Sequence, residues 1–529
     1  VSAARMIPPA ARVGSAVRWG WMGLAALVGT APAGGAAAAP AFETQTLRVP
    51  GAVLWVDHGD LDGDGNRDLV VSYRRGGGPA AERFFAVFYR GAKGFGTRPS
   101  HAFRAPAGAV AFDLGPAPDG GRAELFLWAR EGVFALAFAG REVDRPRALV
   151  TASSLAGAPE SGDLPRWDFV RVVDGEPVIV LPTARGVRIH RRGEGGWTLG
   201  STVPVRPIEL VDAETDTFRP GEDGGAPVRN YALRVTRMVP KLTFIDQTGD
   251  GRSDLVSAFE DRIEVFAARK DGTFGVEPVF RRWFRLRTAE EIENRDATLY
   301  ATVAHLDGDG VADLALAKSS GGLTTFRSEV RLHRGLEGGG FASEPTQTFE
   351  HGGIGSLVSF VDLDGDGRVE MLQPSAEISL AAMVRALFSK QFRVDVELRG
   401  HGGDDVPFET DPRQRLAARF DLDFSASAGV RGSPPLFGHD FDGDGRPDAL
   451  VPDGGERMAL HQGLADSERF FRTEAFVYVE GPGSGTTVVL EPGREDALPD
   501  VLVYYVGRDD LHSRLLVHLN RREVAARIP

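Results

Sequence analysis

Carboxylates recur in this chain at a spacing that suits a hard cation. Asp60, Asp62, Asp64 and Asp68 stand at positions 1, 3, 5 and 9 of a short segment whose sixth residue is Gly65. Asp362, Asp364, Asp366 and Glu370 repeat the pattern around Gly367, and Asp440, Asp442, Asp444 and Asp448 repeat it around Gly445. On a tightly curling backbone, side chains at alternate positions converge on one point, and glycine permits the reversal. The carbonyls at position 7, from Asn66, Arg368 and Arg446, can join that ring of oxygens. So many hard oxygen donors suit Ca2+ better than zinc or copper. Two further segments depart from the pattern. One has Asp246, Thr248, Asp250 and Asp254, with a hydroxyl at position 3; the other has Asp307, Asp309 and Asp313, with His305 at position 1. Three full calcium sites and two weaker ones are therefore expected, the weakest at His305.

Two other readings of these loops are weaker. Solvated Asp-Gly turns would not need to recur at one point of a repeat. Three or four carboxylates in one turn also repel strongly unless a cation neutralises them. An EF-hand needs a Glu at position 12 between helices, whereas position 12 here is Val71, Ser257, Leu316, Gln373 and Val451. The flanks of each loop are apolar runs of strand type. The loops therefore read as the turns of β-hairpins.

The elements that must position these loops repeat with them. Three weaker copies, at Val110–Trp128, Trp167–Pro182 and Val488–Val506, bring the number of units to eight. Their spacing, mostly about 50–60 residues, suits four-stranded propeller blades. In the first unit, strands A to D are expected at 52–57, 68–73, 83–89 and 99–104. A Gly-aromatic turn follows strand C in several units, at Phe95, Trp197, Phe274 and Phe341, and the ring is expected to fill the space between blades. The last unit lacks a strand D, and Phe42–Val49 is a strand with no A partner before it. Pairing the two closes the ring and removes an open edge. The expected fold is all-β, an eight-bladed propeller with seven blades as the alternative, closed by the N-terminal strand and carrying one inserted helix. That helix is expected over Ala376–Gln391, with Leu380, Met383, Val384, Leu387 and Phe388 packing on the propeller as core. Pro207–Asn230 is expected to be a long D–A loop.

Composition bounds the rest. The 66 glycines and 33 prolines suit many short strands, and the absence of cysteine excludes disulfides and thiolate sites. A net charge of −13 argues against nucleic acid as a partner. Residues 1–41 read as a cleaved signal peptide, with Arg5, Arg12 and Arg18 before an apolar run and a small-residue stretch ending at Ala41. Residues 42–529 are then the mature propeller, periplasmic or secreted, a monomer with no transmembrane segment after cleavage.

At the D-x-D-x-D-G-x-x-D loops, and more weakly at the Phe-Gly turns, the chain resembles the FG-GAP/VCBS repeat family of integrin-α-like propellers, in its exported bacterial type. The resemblance implies calcium in the A–B hairpins of one face. It also implies a ligand on the opposite face, made by the D–A and B–C loops, where both insertions map. The expected function is a non-catalytic binding, adhesion or protein-interaction module for an unknown protein or glycan. The alternatives are a polysaccharide lyase, since some rhamnogalacturonan lyases look similar, and a structural scaffold of an envelope complex. Lysine at only five positions weakens the lyase reading. His351-Gly352-Gly353 resembles an oxyanion-hole loop, but the sequence offers no matching nucleophile beside it.

Overall fold

Eight short runs rich in Val, Leu and Ala are buried over most of their length, because each is covered on both faces by a neighbouring sheet. They are the B strands of eight antiparallel blades. The computed structural model describes residues 41–521 apart from 78–80, 118–121, 140–141, 153–154, 156–161, 206, 216–230, 295–296, 322–325, 354, 356, 377–378, 404–405, 424–428, 432, 466–467, 482–484, 494–497 and 507–510. The signal-peptide reading falls on residues 1–41, of which 1–40 lie outside the described residues.

Blade 1 is built from Ala52–Gly59, Asp68–Arg75, Glu82–Phe88 and His101–Arg104, lettered A to D from the ring axis outward. Blades 2 to 7 begin with A strands at Ala109–Pro116, Val170–Val173, Lys241–Ile245, Ala297–Ala304, Ser359–Val361 and Leu436–His439. Blade 8 joins Thr486–Leu490, Asp500–Tyr504 and Arg514–Asn520 to the N-terminal strand Phe42–Arg48, which pairs antiparallel from Phe42 opposite Asn520 to Arg48 opposite Arg514. The expected closure is therefore present. Eight apolar clusters fill the ring, one at each blade-to-blade interface, and the cluster of Leu47, Val53, Leu502 and Val517 joins blade 8 to blade 1. Eight interfaces for eight blades exclude the seven-bladed alternative.

The aromatic turns lie in these interfaces. Phe95, Phe274 and Phe341 are buried against the preceding blade, and Trp197 packs edge-on to Phe126. The preceding blade's outer strand holds several such turns by their backbone. Gln45 Oε1 accepts from Phe95 N at 2.9 Å, Gln347 Oε1 from Phe408 N at 3.1 Å and Gln414 Oε1 from Phe471 N at 2.9 Å.

Four expectations need correction. Pro207–Asn230 is not simply a loop: Ile208–Thr215 and Tyr231–Met238 pair as an antiparallel ribbon, because the segments flanking its Gly-Pro-rich middle have strand character. Besides a six-residue helix α1, Ala289–Asn294, the inserted helix α2 is shorter than expected, at Leu380–Ser389; the side chains of Leu380 and Met383 lie outside those described, and the rest of its apolar face does not form core. Val384, Leu387 and Phe388 are 43, 57 and 88% exposed. Ser379 caps it, and the single left-handed residue Lys390 leads straight into strand C, which leaves no connection long enough to fold it over an interface. Blade 6 gains a fifth strand, Gly429–Arg431. The A strands are buried unevenly: that of blade 2 along nearly all its length, those of blades 1 and 4 only in part.

Candidate metal centres

Alternation of antiparallel strands sends every A–B connection to one face of the ring and every B–C and D–A connection to the other. All five acidic loops are A–B connections and so share a face. The ribbon, as a D–A connection, and α2, as a B–C connection, lie on the opposite face.

Within each loop the carboxylates first organise backbone. Asp60, Asp246, Asp362 and Asp440 accept from the amides at positions 4 and 6, at 2.6–3.0 Å. The acid at position 5 accepts from the amide at position 7, from Asn66 on Asp64 through Arg368 on Asp366 to Arg446 on Asp444. Glycine occupies positions 4 and 6 of every loop, and all ten have φ between +71° and +87°. Sequence reasoning recognised the second of these glycines and missed the first.

The acid at position 9 opens strand B and is buried. Asp68, Asp254, Asp313, Glu370 and Asp448 are at most 2% exposed, and each accepts from the amide at position 2, at 2.6–3.0 Å. Burial pushes the Asp68 carboxyl up to about 7, and repulsion from Asp62 and Asp64 adds to it. Burial likewise raises Glu370 and Asp448 to about 8 and Asp313 to about 6, against the lowering by their amide donors. Asp362, Asp440 and Asp442 are also raised, chiefly by burial. Negative charge gathered under such conditions is relieved either by protonation or by a neighbouring cation.

Oxygens converge in three of the loops. Those of Asp60, Asp62 and Asp68, of Asp362, Asp364 and Glu370, and of Asp440, Asp442 and Asp448 each lie within 4.8 Å of one another. These are the loops with the full acidic pattern. In the blade 4 loop, Thr248 Oγ1 is buried without a hydrogen-bond partner beside Asp246, Asp250 and Asp254, and Arg252 pairs with Asp250. In the blade 5 loop, Arg334 lies 3.3 Å from Asp307 and 3.1 Å from Asp309, and His305 Nδ1 is buried without a partner. The guanidinium supplies there part of the charge that a cation would bring. Two partners escaped sequence reasoning. Gln462 donates to Asp442 at 2.6 Å, and His401 stands 3.6 Å from Glu370. Both follow a C strand, so aligning the C-strand ends of the repeats would have found them.

The donor set of the three convergent loops is all oxygen, which fits Ca2+. Residues 305–372, running from the blade 5 loop into strand B of blade 6, match the model of the FG-GAP-like repeat. None of the curated proteins matches the chain. Solved structures similar to this propeller share little sequence with it. An Agrocybe aegerita lectin that recognises non-reducing terminal N-acetylglucosamine is 15% identical, over 83% of this chain and 82% of that one, at a TM-score of 0.34. The Dos1 propeller is 8% identical over 90 and 95% of the two chains, at 0.32. The dihydro-heme d1 dehydrogenase NirN is 12% identical over 90 and 75%, at 0.34.

Proposed function

We propose that this is an exported, calcium-stabilised propeller that acts as a binding module, with a protein or glycan ligand on the face opposite the acidic loops. The observation that carries the calcium part is the convergence of oxygens in three loops, each around a buried position-9 acid. Asp60, Asp62, Asp64 and Asp68 would hold one ion, with the carbonyl of Asn66. Asp362, Asp364, Asp366 and Glu370 with Arg368, and Asp440, Asp442, Asp444 and Asp448 with Arg446, would hold two more. A bound ion neutralises the carboxylates and ties the start of strand B to the end of strand A, which makes it a clip for the fold.

The binding part is supported by the opposite face, where the ribbon and the exposed Leu387 and Phe388 of α2 stand. Export is supported by the basic, apolar and small-residue order of residues 1–41. Among the described residues no helix is long and apolar enough to cross a membrane.

Two measurements test the reading. Chelation should lower the melting temperature, and added Ca2+ should restore it more fully than Mg2+; equal melts with and without chelator would remove calcium from the account. On a panel of immobilised glycans and envelope proteins, a ligand found for the wild type should be lost in Leu387→Ser/Phe388→Ser and retained in Asp60→Asn. The reverse pattern would move the binding face to the loop side.

A further inference from the structure

Blade 6 differs from the other loop-bearing blades at one carboxylate. In blades 1, 4, 5 and 7 the position-9 acid is aspartate, and its Oδ1 accepts from a backbone amide just past strand C. The donors are Arg90, Ala268, Gly335 and Gly463, at 2.7–2.8 Å. In blade 6 the acid is Glu370, one methylene longer. At the matching place stands His401, which bridges to Phe408 as Ala268 does to Phe274 and Gly463 to Phe471. Its imidazole, not its backbone, faces the acid, with Nε2 3.6 Å from Glu370 Oε1.

That distance is too long for a hydrogen bond. It does suit two ligands of one ion: donors each about 2.1 Å from a tetrahedral zinc stand about 3.4 Å apart. His401 Nε2 is enclosed and has no hydrogen-bond partner. The ring is near-parallel to Phe408, at 20° and 6.1 Å between centroids, which fixes where the nitrogen points. Oxygens of Asp366 and of Glu370, itself 1% exposed, lie with a His401 ring nitrogen within 4.8 Å of one another. A cavity of about 200 Å³ between blades 5 and 6 is lined by His401, Arg368, Arg334 and Asp309.

We propose that the blade 6 loop is a mixed nitrogen–oxygen site for a first-row transition-metal dication, with His401, Asp366 and Glu370 as its ligands. In blade 6 this metal takes the place of the calcium proposed above, whereas the loops of blades 1 and 7, whose donors are oxygen only, remain calcium sites. An imidazole ligand shifts preference from calcium toward metals such as zinc. The proposal rests on the reading of the acidic loops as cation sites.

The test strips the full chain of metal, dialyses it against Zn2+ in excess Ca2+, and measures both metals by elemental analysis. Wild type should retain one more equivalent of zinc than His401→Gln, and no more calcium than that variant. Asp366→Asn should also lose that zinc, which guards against a local effect of the histidine substitution. Co2+ as a spectroscopic probe should give a d–d absorption band in wild type that His401→Gln lacks. Equal zinc in wild type and variant, or no zinc in wild type while calcium binds, overturns the proposal alone. If neither metal binds, the calcium reading of the loops falls with it.

Discussion

At the residue scale, the loops are held by groups that are costly in isolation. The glycines with positive φ are one such group. A Cβ at Gly445, φ +86°, meets no neighbour within 4 Å, so the cost of Gly445→Ala is backbone strain rather than a clash. That substitution should destabilise the protein by about 1–2 kcal/mol, read from urea denaturation. The buried acids are the other. A carboxyl whose pKa is raised in the folded protein holds its proton more tightly there than in the unfolded chain. Without metal, the fold is therefore favoured at low pH and loses that advantage as pH rises through the raised values. With Asp68 at about 7 and Glu370 and Asp448 at about 8, the loss should run from near pH 4 to near pH 8. Melts in chelator should fall across that window, and saturating Ca2+ should flatten the curve. A chelated protein whose melt rises across the same window would contradict it.

At the element scale, α2 is formed by local signals. Ser379 Oγ accepts from Ala382 N at 3.1 Å, and Lys390 takes the left-handed conformation that ends the helix. Val384, Leu387 and Phe388 of its apolar stripe are nevertheless bare. Phe388→Ser should change stability by less than about 0.5 kcal/mol, the range for surface positions, and a denaturation curve checks it. The glutamine staples behave in the opposite way. Gln414 is buried, accepts from Phe470 and Phe471 and donates to Phe471 O. The same rule of burial and partners separates the two side chains, although both lie outside the acidic loops.

At the scale of the whole molecule, stability comes from a ring of eight similar interfaces. Blade 8 reaches four strands only because Phe42–Arg48 fills its outer place. Removing residues 42–48 would bare the edge of Arg514–Asn520 and the apolar Leu515, Val517 and Leu519 sides of the sheet. The truncated chain should self-associate or aggregate at concentrations where the full one does not, as light scattering would show. Near the axis, Arg166 lies 3.1 Å from Asp113 of the preceding blade and also pairs with Asp57 of blade 1. Arg166 thus joins the A strands of blades 1 and 2 by charge in addition to their apolar packing.

Eight blades, closure by the first strand and the placing of all five loops on one face were legible in the sequence. Each depends on a repeated pattern or on strand parity, and both are properties of the chain's order. The three loops with full acid sets could be ranked above the other two for the same reason. What needed the tertiary structure involves residues far apart in sequence. Arg334 beside Asp307, Gln462 on Asp442 and His401 facing Glu370 arise because strand C returns beside the loop, and within one repeat nothing in the loop itself points to that return. The helix face shows the same limit. An apolar stripe with period 3.6 specifies a helix wherever it occurs, but whether the stripe is covered depends on what stands opposite, and at α2 a one-residue link to strand C holds it clear of the interfaces.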